Sequence, residues 1–174
     1  MRYFLMLFAA FTFVACSGQS KFKNYNGPQV TQVLVDKTAR KMWLLNGKKV
    51  LKKYDIDLGF APTGHKFQEG DGRTPEGVYR IDRRNPNSAF HLSIGISYPN
   101  IRDIAKARAA GVSPGGNIFI HGESVQKSRK SWHSQLFAGK NKADWTSGCI
   151  AVTNKEMEEI YAMVKIDTPI LIKP

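Results

Sequence analysis

Apolar and polar residues alternate along several short stretches of the chain. Within residues 50–58, Tyr54 and Ile56 are separated by charged residues, a period of two that is typical of a strand with one buried face. Asn46-Gly47 precedes this stretch and predicts a β-hairpin, because both residues tolerate a positive φ. Short apolar runs predict further strands at residues 33–35, 42–45, 77–81, 90–97, 118–120 and 169–172, and an apolar strand directly after residue 149.

Two stretches have the period of a helix instead. Asn100 is a good N-cap for a helix over residues 100–110. Thr153 and Glu156 can form a capping box for a second helix over residues 155–164. The apolar stripe of that second helix, which we interpret as core packing, consists of Met157, Ile160, Tyr161 and Val164.

Strands outnumber helices in this pattern, which favours a mainly β fold. We predict a single-domain β-sandwich or barrel with antiparallel strands and two or three inserted helices. The sequence contains no internal repeat and no sign of a second domain.

The N-terminus is typical of an exported protein. Residues 3–14 are almost uniformly apolar, which is the length of a signal-peptide core rather than of a membrane-spanning helix. Cys16 follows at once and resembles the lipobox cysteine of bacterial lipoproteins, which is diacylated and becomes the mature N-terminus. An ordinary signal peptide with an incidental Cys16 is the alternative. The predicted division is a signal peptide at 1–15, a lipid-anchored flexible tether at 16–28 and a folded domain at 29–174.

The chain is strongly basic, with 26 Lys and Arg against 14 Asp and Glu and a formal charge of +12. No nucleic-acid-binding motif accompanies this charge, so we expect no nucleic-acid partner. An exported basic protein is expected to meet wall peptides, teichoic acids or lipid headgroups, although a solvated basic surface is the alternative. The expected location is the periplasm or cell envelope, and Ser17 after Cys16 favours the outer membrane.

Cysteine usage points to one reactive side chain. If Cys16 carries lipid, Cys149 has no partner for a disulfide in an oxidising compartment. An unpaired thiol in an exported chain suggests a reactive site, and a buried inert cysteine is the alternative.

Two segments carry residues suited to acyl chemistry. One ends a predicted strand at His121-Gly122, and the other places Cys149 after a Ser147-Gly148 turn. A thiol needs a neighbouring base to become a thiolate near neutral pH, and imidazole is the usual one. The N–H groups of Gly148 and Cys149 are predicted to stabilise an oxyanion.

These segments resemble the YkuD-type L,D-transpeptidase catalytic domain, whose signature is His-Gly, a spacer and Ser-x-Gly-Cys followed by an aliphatic residue. Residues 73–79 resemble the family's upstream basic-Thr-Pro-x-Gly segment. The resemblance implies a catalytic domain at 29–174 in which Cys149 attacks the carbonyl between meso-diaminopimelate and D-alanine of a peptidoglycan stem, forming a thioester. It implies that His121 is the general base and acid, and that no cofactor or metal takes part. The implied supporting residues are Gly148, Ser147, Gly122 and Thr146, which occupies the family's Ser position and offers a hydroxyl in its place.

The chain departs from the common family pattern in two places. The spacing from His121 to Cys149 is 28 residues, and Ala151 stands where many transpeptidases carry Arg or Asn. Other phrases resemble a YafK-like subgroup, some of whose members hydrolyse the bond between a lipoprotein and peptidoglycan. We therefore keep two enzymatic alternatives: transfer to an amine, or hydrolysis as an L,D-carboxypeptidase or a lipoprotein-releasing amidase. A wall-linked lipoprotein is then a candidate partner.

Further residues are candidates for substrate contact: Arg73, Thr74, Tyr98, Trp145 and Asp144. Asp144 is predicted either to orient His121 or to cap a turn, and a core position is the alternative for Trp145. In the spacer, Trp132 and His133 are predicted to line a groove or to lie on the surface. The spacer's cations either attract wall-peptide carboxylates or form a solvated face; they are Lys127, Arg129, Lys130, Lys140 and Lys142.

Other classes of protein fit less well. A sortase needs an arginine after its cysteine, and none follows Cys149. An NlpC/P60 hydrolase has its cysteine before its histidine, whereas His121 comes first here. A non-catalytic peptidoglycan-binding lipoprotein remains the alternative outside the enzymes.

Overall fold

The computed structural model of the protein describes residues 20–124 and 144–174. The predicted signal peptide, the predicted lipidation at Cys16, and the spacer candidates Trp132 and His133 with the spacer's cations lie outside these residues.

Eight strands and two helices form the described part of the domain, and they lie where the sequence predicts strands and helices. The helices are α1 (Ile101–Ala109) and α2 (Asn154–Met163), and both begin with the predicted capping boxes, at Asn100 and Thr153. The strands are β1 (Gln32–Asp36), β2 (Lys41–Asn46), β3 (Lys49–Asp55), β4 (Gly77–Asn85), β5 (Ser93–Ile96), β6 (Phe119–His121), β7 (Ile150–Ala151) and β8 (Pro169–Lys173).

The strands form one sheet in the order β3-β2-β1-β8-β4-β5-β6-β7. The sheet curls until its two edges meet, because Asp57, just beyond β3, exchanges two backbone hydrogen bonds with Ala151 of β7, at 3.0 and 2.9 Å. The barrel alternative is therefore the one that the molecule adopts.

The prediction of purely antiparallel strands is wrong at two pairs. β8 lies parallel to β1, and β7 lies parallel to β6. Parallel partners require long connections, and both pairs have them. The apolar pattern of a strand does not say which distant strand it will pair with, so these pairings were not predictable from periodicity.

The predicted hairpin forms between β2 and β3, but its turn is one residue later than predicted. Asn46 pairs with Lys49 as a strand residue. The connecting residues are Gly47 and Lys48, and Gly47 has a φ of +56°. The glycine therefore supplies the left-handed conformation on its own.

The core lies inside the curled sheet, where alternate strand residues meet α2. Val33 and Val35 of β1 are fully buried, as are Met157 and Ile160 of α2. Both faces of β5 are buried, because one faces this core and the other faces the candidate site described below.

Residues 20–28, which belong to the predicted tether, lie against the domain. Lys21 donates from Nζ to the carbonyl of Pro86 at 2.6 Å, and Lys23 forms an ion pair with Glu158 of α2 at 3.2 Å. The ring of Phe22 packs at 6.3 Å from a tyrosine ring of α2.

Neither α1 nor α2 combines the length and the hydrophobicity that a membrane-spanning helix needs.

Candidate active site

His121 is the last residue of β6 and is held by strands on both sides. It pairs with Ser93 of β5 and with Ala151 of β7, and only 4% of its surface is exposed. Its Nδ1 lies 2.7 Å from the carbonyl oxygen of Gly122. Since a carbonyl only accepts, Nδ1 carries the ring proton and Nε2 keeps its lone pair. The imidazole is thus fixed in the tautomer that can take a proton at Nε2.

Two aromatic rings enclose the imidazole. The Phe90 ring lies 4.5 Å from it, and the Trp145 ring lies 5.6 Å from it, nearly edge-on. These contacts restrict the rotation of the ring and remove water from it. Trp145 is 46% exposed, so the core alternative for this residue is wrong.

Gly122 supports His121 through its backbone. Its carbonyl accepts the imidazole proton, and its N–H donates to the carbonyl of Phe90 at 3.1 Å. A Cβ at this position would lie 2.5 Å from Oδ1 of Asn154. Any other residue here would have to displace the Asn154 side chain, which agrees with the His-Gly pair of the sequence.

Cys149 lies immediately before β7, on the same side of the sheet as His121. Because Ile150 pairs with Ile120 in a parallel register, Cys149 falls beside Phe119, two residues before His121. Its Sγ–H donates to the carbonyl of Asn117 at 3.6 Å. In the part of the chain that the structure describes, no hydrogen bond joins the thiol to the imidazole.

Both side chains open into one cavity of about 410 Å³. The row Asn85–Ser93–His121 crosses β4, β5 and β6 at one level of the sheet. Sequence reasoning missed most of the cavity wall, because it is assembled by strand register. The lining residues are Asn85, Ser88, Phe90, Ser93, Asn117, Phe119, His121, Trp145, Thr146, Ser147 and Cys149.

The turn before Cys149 is closed by the hydroxyl of Thr146. Thr146 Oγ1 donates to the carbonyl of Cys149 at 2.7 Å and accepts the Gly148 N–H at 3.1 Å. Gly148 has a φ of +123°, and a Cβ there would lie 2.6 Å from the carbonyl oxygen of Arg73. The turn therefore requires glycine and is held rigidly.

This turn changes the predicted oxyanion site. The Gly148 N–H is already bonded to Thr146, so its predicted role as an oxyanion donor is wrong. The Cys149 N–H has no hydrogen-bond partner within residues 20–124 and 144–174, and it remains available to a substrate oxygen. Ser147 lines the cavity beside it.

The two reactive groups are both neutral before substrate binds. Burial lowers the pKa of His121, partly offset by its hydrogen bond to Gly122. Burial raises the pKa of the Cys149 thiol, partly offset by a backbone hydrogen bond from Phe119 and the charge of Lys66. Burial disfavours both ions, so the resting state is a thiol and an imidazole rather than the thiolate expected from the sequence.

Four of the five predicted substrate contacts lie outside the cavity, namely Arg73, Thr74, Tyr98 and Asp144. Thr74 is completely buried, and its carbonyl accepts from Lys37 Nζ at 3.0 Å. Tyr98 is 5% exposed and donates to the carbonyl of Pro114 at 3.0 Å. Arg73 contacts the site only through its backbone against Gly148. Arg73 therefore packs its backbone against the cysteine turn, and neither Arg73 nor Thr74 lines the cavity.

Asp144 does not orient His121, whose Nδ1 proton goes to Gly122. Its carboxylate binds the guanidinium of Arg40 through two hydrogen bonds of 2.6 and 3.1 Å, and it accepts the Leu58 N–H at 2.8 Å. Neither the orienting role nor the turn cap is the one observed, because Asp144 instead joins Arg40 and Leu58, which are distant in the chain. The neighbouring Trp145 is held in place by donating from Nε1 to Asp57 at 3.1 Å.

Two further histidines have partners that the sequence did not reveal. His65 accepts the Glu76 N–H at Nδ1, at 2.9 Å, and its Nε2 lies 3.1 Å from a carboxylate oxygen of Asp103. His91 lies 3.0 Å from Glu158. Neither histidine lines the cavity.

Residues 31–172 match the family model of the YkuD L,D-transpeptidase catalytic domain. The chain belongs to this family. It is 26% identical over 152 residues to the YafK protein of Escherichia coli (strain K12), a match that covers 85% of this chain and 52% of YafK. The chain thus spans about half the length of this relative.

Solved structures of the YkuD family agree on the fold. The helical cell shape determining protein Pgp2 of Campylobacter jejuni, as a K307A mutant, superposes with a TM-score of 0.60 at 25% identity, covering 86% of this chain and 48% of Pgp2. L,D-transpeptidase 1 of Mycobacterium tuberculosis gives a TM-score of 0.50 at 12% identity, covering 83% of this chain and 62% of that protein.

Proposed function

We propose that this protein is an exported enzyme that breaks and re-forms peptide bonds in peptidoglycan stem peptides through a thioester on Cys149. The observation that carries the proposal is the shared cavity, in which the Cys149 thiol and the free Nε2 of His121 lie on neighbouring strands of a YkuD-family domain. The family supports a peptidoglycan substrate, and the finer assignments below are part of the proposal.

In the first step, His121 Nε2 takes the thiol proton as Sγ attacks the carbonyl carbon between meso-diaminopimelate and D-alanine. The carbonyl oxygen gains the negative charge, and the Cys149 N–H donates to it. The C–N bond then breaks, and the imidazolium returns its proton to the D-alanine amine. The product is a thioester between Cys149 and the diaminopimelate carbonyl.

In the second step, an amine attacks the thioester carbonyl and passes its proton to His121, which returns it to the leaving sulfur. An amine from a second stem gives a 3→3 cross-link. Water in the same position gives a trimmed stem, and the same chemistry on a wall-linked lipoprotein would release it. We favour transfer, and hydrolysis is the alternative outcome of the experiment below.

We also propose that the enzyme acts in the periplasm and is anchored by lipid at Cys16, with the outer membrane favoured by Ser17. A role in wall remodelling agrees with the resemblance to the cell shape determining protein Pgp2.

Muropeptide analysis tests the proposal. The wild type and Cys149→Ala are expressed at equal levels in a strain that lacks its own L,D-transpeptidases, and the digested walls are compared. New 3→3 dimers in the wild type alone indicate transfer, and trimmed stems or released lipoprotein indicate hydrolysis. Identical profiles from both proteins would leave only the non-catalytic binding protein and would refute the enzyme.

A further inference from the structure

Arg83 of β4 extends its guanidinium to the rim of the Cys149 cavity. The guanidinium lies over the Phe119 ring at 4.6 Å, and its Nη2 donates to Oδ1 of Asn117 at 3.3 Å. Phe119 and Asn117 both line the cavity, and Phe119 lies beside Cys149 in the register of β6 and β7. The arginine therefore reaches two residues of the cavity wall although its strand is not adjacent to β7.

A glycine makes this path possible. Arg83 pairs with Gly95 of β5, and Gly95 pairs with Phe119 of β6, so the three residues form one row across the sheet. A Cβ on Gly95 would lie 2.4 Å from Cγ and 2.8 Å from Nε of Arg83. The arginine stem thus crosses β5 at a position where any other residue would displace it.

The other arginines of β4 are used differently. Arg80 donates to the carbonyl of Asp167 at 2.9 Å, and Arg84 donates to the carbonyls of Tyr161 and Val164 at 2.6 and 3.0 Å. Within residues 20–124 and 144–174, the contacts of the Arg83 guanidinium are the neutral amide of Asn117, the Phe119 ring and the Asp82 carboxylate at 3.8 Å, and its side chain is 45% exposed. Most of its five N–H donors therefore have no hydrogen-bond partner among these residues.

The part of the cavity wall that the structure describes carries no formal charge that would complement the substrate. None of the described residues that line it is Lys, Arg, Asp or Glu. A stem peptide carries carboxylates close to the scissile bond, on the terminal D-alanine and on the side chain of diaminopimelate. We infer that Arg83 is a specificity-determining residue that binds one of these carboxylates through its guanidinium. This inference rests on the proposed function.

Calorimetry measures the binding of peptides to the full chain carrying Cys149→Ala and so tests the inference without turnover. The ligands are the stem tetrapeptide with a free terminal carboxylate, the same peptide as a terminal amide, and the same peptide with lysine in place of diaminopimelate. Adding Arg83→Gln is expected to weaken binding of the free acid about tenfold, the loss of one charged hydrogen-bonded pair. The same replacement is expected to leave unchanged the affinity for the modified peptide that lacks the carboxylate bound by Arg83. That peptide therefore identifies which of the two carboxylates is bound.

Two variants serve as comparisons. Arg80→Gln removes the same charge from the same strand and is expected to leave all affinities unchanged. Gly95→Ala keeps the charge but displaces the Arg83 stem, and it is expected to reproduce the loss on the free acid, with its fold checked by thermal unfolding. Equal affinities with and without Arg83→Gln, or an equal loss of affinity for all three peptides, would overturn the inference but not the proposed function. No binding of any peptide to Cys149→Ala would overturn the proposed function together with the inference.

Discussion

The His121 site and the His65 cluster are two regions in which the backbone fixes an imidazole, and they differ in what is left free. His65 uses both nitrogens, one accepting from Glu76 and the other facing Asp103. His121 uses only Nδ1, and its other nitrogen faces a cavity that contains a thiol. A histidine whose two nitrogens are satisfied stabilises the fold, whereas one with a free lone pair beside a nucleophile can transfer protons.

Replacing each histidine separates the two regions most strongly. His121→Ala is expected to slow acylation of Cys149 by a carbapenem about 10²–10⁴-fold at pH 7, because no base remains to take the thiol proton. His65→Ala is expected to leave this rate unchanged. Intact-protein mass spectrometry over time measures both rates, and an equal loss in the two variants would show that His121 has no special role.

The pH dependence of acylation should reflect the lowered pKa of His121. The base must be unprotonated, and burial moves its pKa below the ordinary 6.5. The rate is therefore expected to reach half of its plateau at a pH below 6.5 and to fall by about tenfold per pH unit below that pKa. An acid limb at pH 7 or above would contradict the buried, neutral imidazole.

Alkylation of the free thiol probes the same pair without a substrate. The raised pKa of Cys149 predicts that the rate with iodoacetamide increases into the alkaline range beyond pH 9, the ordinary thiol value. An imidazolium–thiolate pair would instead react at a constant rate from about pH 5 to pH 8. Such a constant rate would mean that the pair is ionised at rest.

The His65 cluster should affect stability instead. His65→Ala removes the hydrogen-bond partner of the Glu76 N–H and the contact to Oδ1 of Asp103, whose Oδ2 still accepts from Tyr79 and Asn100, at an expected cost of about 1–2 kcal/mol in the free energy of unfolding. Urea denaturation at pH 7.5 measures it. An unchanged free energy of unfolding would mean that water replaces the ring at no cost.

Asp144 provides the smallest expected effect. Asp144→Asn weakens a partly buried pair with Arg40, and we expect a loss of about 0.5–1 kcal/mol in the free energy of unfolding. The acid limb of acylation should not move, because the carboxylate does not contact His121. A shift of that limb would mean that Asp144 orients His121, a role that the structure assigns to Gly122.

The sequence predicted the elements of the fold well, because their signals are local. Alternation located the strands, and the capping residues Asn100 and Thr153 located both helices. The pairing of Asp57 with Ala151, which closes the barrel, depends on residues far apart in the chain, and no local pattern contains it.

The candidate site likewise contains some residues that a local motif identifies and others that only the strand pairing brings in. His121 and Cys149 were found because they lie in a recognisable motif, whereas Asn85 and Ser93 join the site only through strand register. The tie of Asp144 to Arg40 spans 104 residues, so the sequence left its role open. The competition of Thr146 for the Gly148 N–H depends on side-chain direction, which residue types alone do not give.

The most direct test of the central claim is the mass of the intact protein after incubation with the stem tetrapeptide. The wild type is expected to gain the mass of the tripeptide acyl group on Cys149, with release of one D-alanine, and His121→Ala is expected to form this adduct far more slowly. An adduct that forms equally on Cys149→Ala, or D-alanine release that survives that replacement, would contradict a thioester on Cys149.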